Sequence, residues 1–203
     1  MELASESPVL WAFYVRIVVM NKLYQKTKAW VEKIYFNADH LIRTAYWIRE
    51  LTPKPSEALL IAALTHDIER VFKEGRKPSV SKMRKWDDQK ENQWHSERSA
   101  KFVKDFLKKE NTKTDLIEEV LRLINHHEEG GWDEADLLRD ADSLSFLEIN
   151  VPFFISRIPK ELSKKEVKEK FNYMFMRIGS KKAREIAKPF YKKAMFDLNK
   201  VEG

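Results

Sequence analysis

The sequence predicts an all-α protein, and three observations carry that expectation. Apolar residues recur at helical spacing in one segment after another, no stretch sustains the two-residue alternation of a half-buried strand, and the breaks carry proline, glycine or capping residues. The first clear segment, "ADHLIRTAYWIREL", puts Leu41, Ile42, Ala45, Trp47 and Ile48 on one stripe and ends at "TPKP". "SEALLIAALTHDIERVF" follows and is apolar almost all round, which predicts a central, buried helix. "HSERSAKFVKDFLKK" repeats the pattern with Ala100, Phe102, Val103, Phe106 and Leu107. "TKTDLIEEVLRLINHH" opens on a capping-box-like Thr112 and Asp115. A fifth segment, "DEADLLRDADSLSFLEI", reaches Pro152; "SKKEVKEKFNYMFM" starts with Ser163 and Glu166 in capping-box spacing. Gly179 then separates a last helix, which Pro189 is expected to kink.

The 203 residues suffice for one sizeable core. We expect a single domain: an N-terminal helical segment over 1–30 packing on the core, a helical core over 31–150, and a helical extension over 151–203. The polar, basic stretch 73–94 is the longest expected non-helical region, and a loop of that length inside a compact domain points to function or disorder. The apolar run "PVLWAFYVRIVVM" is too short to span a bilayer, contains Arg16 and lacks a cleavage site. The expectation is therefore no membrane span and a cytoplasmic location.

Composition excludes several chemistries. Without cysteine there are no disulfides, thiolate zinc sites or cysteine nucleophiles. Five glycines form neither a dinucleotide fingerprint nor a phosphate loop. Residues 156–203 carry 14 Lys and Arg against 6 Asp and Glu. Such a basic region could face nucleic acid, but its interleaved glutamates and the lack of a recognition motif favour a solvated helix face.

The chemistry-bearing pattern is histidine with aspartate. His40, His66, His95, His126 and His127 all fall on the helical segments before the basic region, and Asp67, Asp140 and Asp142 lie where they could join them. In "LTHDIERVF", His66 and Asp67 stand together at the end of an apolar run, where burying two ionisable groups needs a partner. Imidazole and carboxylate from separate elements suit Zn, Fe, Mn, Co or Ni, so a cation is one such partner and bracing of the core is the other.

His40 in "DHLIR", the pair in "LTHDIER" and Asp142 in "DADSLSF" resemble the ordered motifs of the HD-domain superfamily. The resemblance spans residues 38–148 and implies an α-helical bundle with a divalent metal held by His40, His66, Asp67 and Asp142. His95 in "WHSERSAKFV" and His126 in "INHHEEGG" match the additional histidines of HD proteins with two metals, in which Asp67 would bridge the ions. His127 is the alternative to His126, since neighbouring side chains on a helix point about 100° apart; His126 is slightly preferred. The sequence departs from the family in two places. "HHEEGGWDEAD" begins like the cyclic-dinucleotide phosphodiesterases of the HD-GYP type but lacks their GYP segment, and Ser145 stands where many small HD hydrolases carry a final aspartate, so a supporting hydrogen bond is expected to be lost.

The resemblance implies a metal-dependent phosphohydrolase acting on a nucleotide or other small phosphate ester, using one or two ions (Mn, Fe, Ni, Co, Zn or Mg) to activate water. Asp67 and Arg70 are the catalytic candidates. Arg70 is also the first candidate for a phosphate contact, with Lys73 after it; Arg76 and Lys77 further along the loop are expected to be solvated at least as readily. Arg43 is expected to brace a carboxylate, and Glu69 is either a proton-transfer group or a surface residue. Two other readings use the same residues: an HD-type di-iron oxygenase, and a non-catalytic metal-stabilised binding module.

Overall fold

The computed structural model describes residues 22–72 and 86–201, and among them there are helices and no strand. Residues 22–34 form helix α1. It lays Leu23, Trp30, Val31 and Ile34 on the core, with Trp30 stacked on Phe106 at 4.2 Å between ring centroids. The apolar run at 8–20 lies outside the described residues, as do Lys73, Arg76 and Lys77. No described helix is long and apolar enough to cross a membrane.

Helix α2 (Ala38–Leu51) buries His40, Leu41, Thr44, Ala45, Trp47 and Ile48, a stripe at three- and four-residue spacing. It stops where Pro53 makes continuation unfavourable, and the Thr52 amide closes the last turn on the Ile48 carbonyl. Helix α3 (Glu57–Thr65) starts at Ser56, whose hydroxyl accepts from the Leu59 amide at 3.1 Å. Every residue from Ala58 to Thr65 is buried, as its all-round apolar sequence predicts. The helix ends there. His66 and Asp67 form a turn, and a short 3₁₀ helix follows over Ile68–Val71. Full burial of Leu59, Ile61 and Leu64 is worth about 1.5–3 kcal/mol each. That exceeds the roughly 1–3 kcal/mol for an unmatched polar group, so α3 can carry His66 to zero exposure.

Helix α4 (Gln89–Lys109) is capped by Asp88, which accepts from the Lys90 and Glu91 amides. It therefore begins six residues before His95, and the expected non-helical stretch 73–94 is shortened from its C-terminal side. Helix α5 (Thr114–Asn125) packs on α4. Its N-cap is Lys113 and no side chain caps it, so the capping box expected from Thr112 and Asp115 does not form. The chain leaves α5 through Gly130, whose positive φ of 77° suits glycine and whose amide bonds the His126 carbonyl at 2.7 Å.

Helix α6 (Asp133–Ser145) lies along α2 as the central pair of the fold. A π-helical turn, Phe146–Asn150, joins it to α7 (Val151–Ser156), where Pro152 sits in the first turn and needs no helical partner. Helix α8 (Lys164–Met176) has the expected capping box between Ser163 and Glu166. Helix α9 (Lys181–Asn199) packs beside α8 and runs as one element through Pro189. Asp140 of α6 accepts from the Gly179 and Ser180 amides at 2.7 and 2.9 Å, tying the α8–α9 turn to the central pair.

Candidate metal centre

Four imidazoles meet where α2, the end of α3, α4 and the end of α5 converge. His40, His66, His95 and His127 are each 5% exposed or less, which for a polar ring demands partners. Their rings form a chain: His40 lies 5.7 Å from His66, His66 5.0 Å from His127, and His127 5.5 Å from His95.

Each ring is held by its outer nitrogen. His66 Nδ1 faces the Ala63 carbonyl at 3.1 Å and His127 Nδ1 the Ile124 carbonyl at 2.7 Å. A carbonyl only accepts, so in both rings Nδ1 carries a proton and Nε2 is the nitrogen turned inward. Ser145 performs the same service for His40. Its hydroxyl donates to the His40 carbonyl at 2.7 Å, which leaves Oγ to accept from His40 Nδ1 at 2.9 Å. The supporting bond expected to be lost with the aspartate is therefore made by the serine. His95 Nδ1 donates to Glu69 at 2.9 Å, and Glu69, 3% exposed, is not a surface residue.

The inner nitrogens converge on two carboxylates. Asp142 Oδ1 lies 3.1 Å from His40 Nε2 and 3.3 Å from His66 Nε2, while its Oδ2 accepts from Arg177 at 2.5 Å. Asp67 Oδ1 lies 2.7 Å from His95 Nε2 and 3.9 Å from His127 Nε2, while its Oδ2 accepts from Arg70 Nε at 2.8 Å. Each carboxylate thus turns one oxygen to the imidazoles and fixes the other on an arginine.

The charges follow from these contacts. Burial pushes both aspartates up, but Arg70 with His95 for Asp67, and Arg177 with the facing histidines for Asp142, hold both well below the usual carboxylate range. Burial lowers His66, and Asp142 outweighs it, so His66 is raised. Burial and Arg70 lower His95, yet Asp67 and Glu69 raise it overall. Burial prevails at His127, pushed down to about 4 and therefore neutral at pH 7.

His66, Asp67 and His127 can each bring a ligand atom within 4.8 Å of the others, as can His40, His66 and Asp142 on one side and His95, His127 and Glu128 on the other. The donor set fits a cation on a direct observation: the buried Nε2 atoms of His66 and His127 make no hydrogen bond. Neutral His127 already offers the bare lone pair that a metal ligand needs, His66 offers it on giving up its proton, and an outer-nitrogen hydrogen bond is how such ligands are oriented.

Of the residues singled out in the sequence, His40, His66, Asp67, His95, His127 and Asp142 come together here. His126 does not. Helix α5 ends at Asn125, and His126 turns outward, exposed, with its ring edge-on to Trp132 at 5.1 Å. The preference for His126 is thereby reversed in favour of His127. Asp140 is engaged with the α8–α9 turn. Arg43 makes a two-pronged bond to Glu148 at 2.6 and 2.7 Å, bracing a carboxylate away from the cluster.

Three contributors have no counterpart in the sequence reading. Arg177 has 7% side-chain exposure and binds Glu128, Asp142 and the Ser143 hydroxyl. Glu128 is pushed up by burial but held down to about 2 by Arg177. Lys170 is half-buried on the same helix as Tyr173. The basic extension is thus more than a solvated face: Lys170, Tyr173 and Arg177 fall three and seven residues apart, on one side of α8, and that spacing is the signal in the sequence.

Residues 37–147 match the HD domain. No curated protein and no solved structure matches the chain.

Proposed function

The chain belongs to the HD-domain family, and from that premise we propose that it is a metal-dependent phosphohydrolase for a nucleotide or another small phosphate ester. The observation that carries the reading is the common orientation of four buried imidazoles, each with Nδ1 anchored outside and Nε2 turned toward Asp67 or Asp142. A core histidine needs partners; it does not need three neighbours posed the same way around two carboxylates.

In this reading His40, His66, Asp67 and Asp142 hold one divalent ion, and His95, His127 and Asp67 hold a second. Bound ions of this kind lower the pKa of water and neutralise phosphoryl oxygens. The protein's own groups supply position and charge. Ser145, Glu69 and the two backbone carbonyls keep the imidazoles aimed, so no ring need reorient during turnover. Arg70, at the cluster's edge with 43% side-chain exposure, keeps Asp67 Oδ2 engaged through Nε. Its terminal nitrogens can meet a phosphate, whose oxygens match the guanidinium fork. Arg177 holds Asp142 and Glu128 in place from behind. The substrate phosphate would enter a site where the carboxylates are already paired, so its own charge meets cations.

Elemental analysis of protein purified without added metal or chelator, together with a phosphate-release screen over nucleotides, tests this. Wild type should carry one or two divalent ions per chain and release phosphate. Asp67→Ala should lose the metal and reduce turnover by about 10³-fold or more, as removal of a principal charge-stabilising group does. A wild-type chain that holds no metal, and takes up none on dialysis against Mn, Ni, Co, Zn or Mg, would overturn the proposal. Two irons with oxygen uptake and no phosphate release would replace it with the oxygenase reading.

A further inference from the structure

Lys170 stands apart from the other cations around the metal cluster. Arg70 is anchored to Asp67 through Nε, and Arg177 to Asp142 and Glu128. Lys170, on α8 and outside the family match at 37–147, forms no hydrogen bond or ion pair with any described residue. Its ammonium lies instead over three rings: Trp86 at 5.1 Å, Phe146 at 5.3 Å and Tyr173 at 5.2 Å from the centroids. The rings stabilise a cation but satisfy none of the three N–H donors of an ammonium.

Its surroundings hold it ready for an anion. Trp86 donates its indole N–H to the Glu166 carbonyl at 3.0 Å, so one wall of the cage is pinned to α8 itself. Burial, with the Arg177 and Arg70 charges nearby, pulls Lys170 down to about 8 against the opposing effect of Glu128. It remains mostly protonated at neutral pH, and an incoming anion would offset the cost of burial and the repulsion by pairing with the charge.

We propose that Lys170 is a substrate-binding residue, gripping phosphate oxygens of the anionic substrate through its unpartnered ammonium. This rests on the phosphohydrolase reading for the identity of the anion, and it makes α8 a functional part of the site. The Lys170–Tyr173–Arg177 face divides the work: Arg177 steadies the carboxylates, and Lys170 meets the substrate.

Titration of metal-loaded protein with inorganic phosphate, followed by calorimetry, tests the assignment. Lys170→Met keeps the stem against the rings and removes the charge; it should weaken phosphate binding about tenfold or more, the scale of a charge-assisted hydrogen bond. Lys170→Arg should retain most of the binding. Metal content should equal that of wild type in both. Lys168→Met, which removes the same charge from an exposed position on α8, should bind like wild type. The inference is overturned if Lys170→Met keeps both its metal and wild-type phosphate affinity, if Lys168→Met loses as much, or if wild type binds no phosphate at millimolar concentration. Failure here is distinguishable from failure of the proposed function. Phosphate-ester turnover with KM unchanged in Lys170→Met would sink the assignment alone. Lys170-dependent phosphate binding without turnover of any ester would sink the function alone.

Discussion

At the scale of single residues the metal cluster depends on side chains that never face its centre. Ser145 is the clearest case. Its one hydroxyl proton goes to the His40 carbonyl, so its oxygen is obliged to accept from His40 Nδ1. Ser145→Ala would leave that N–H unmatched in a dry site and free the ring to turn. Loss of such a supporting contact commonly lowers metal affinity about 10–100-fold, with a stability loss on the order of 1–3 kcal/mol for the orphaned donor. Competition with a chelating dye reads the first, and urea unfolding of the metal-free protein the second. An unchanged affinity would mean that His40 is not a ligand. The neighbouring-histidine question shows where residue-level reading stops. Helical phase separates His126 from His127 only if the helix continues, and α5 ends one residue before them. A tightened turn, with the His126 amide on the Leu123 carbonyl at 3.2 Å, sends His126 to solvent and His127 inward.

At the scale of elements, most of what the sequence shows is what local chemistry decides. The all-round apolar α3 ends at "THD", and the Ser163–Glu166 capping box forms as its spacing predicts. The Thr112–Asp115 box does not, because the helix starts at Thr114 and puts both residues out of phase with the cap. Non-local pairing leaves no local signature. Nothing near "MFMRIG" announces that Arg177 reaches Asp142, 35 residues away in sequence; the α8–α9 turn does that, held by Asp140 on two backbone amides. The mechanical link makes a prediction. Asp140→Ala removes a buried carboxylate's two charge-assisted bonds and should destabilise the protein by roughly 2–3 kcal/mol. Ser163→Ala, which removes only the cap of α8, should cost about 1 kcal/mol. Denaturant titration ranks the two, and a larger loss from the cap than from Asp140 would contradict this account of how α8 is held.

The whole molecule carries the charge balance of the cluster as a pH-dependent stability. His66 and His95 are raised above 6.5 in the folded, metal-free protein. Their contribution is therefore fully present below pH 6.5 and is lost as pH rises through the folded values. The cluster's carboxylates and His127 add nothing between pH 6.5 and 8. Asp67, Asp142 and Glu128 are depressed, so what they contribute is lost only in acid, and His127 titrates near 4. Lys170, lowered to about 8, opposes the histidines weakly as pH nears 8, since a lowered lysine destabilises less once it loses its proton. The metal-free protein should thus melt lower at pH 8 than at pH 6.5. A divalent ion reverses the slope, because it takes the same Nε2 atoms in their unprotonated form and binds more tightly as pH rises. At a free ion concentration of about 100 Kd the stabilisation is roughly 2.7 kcal/mol, which for a chain of this size raises Tm by about 5–10 °C. Thermal scans at both pH values, with chelator and with Mn²⁺, should give lines of opposite slope. Parallel lines would mean that the imidazoles of His66 and His95 do not give up protons to the ion, and the cluster would then be a braced core instead of a metal centre.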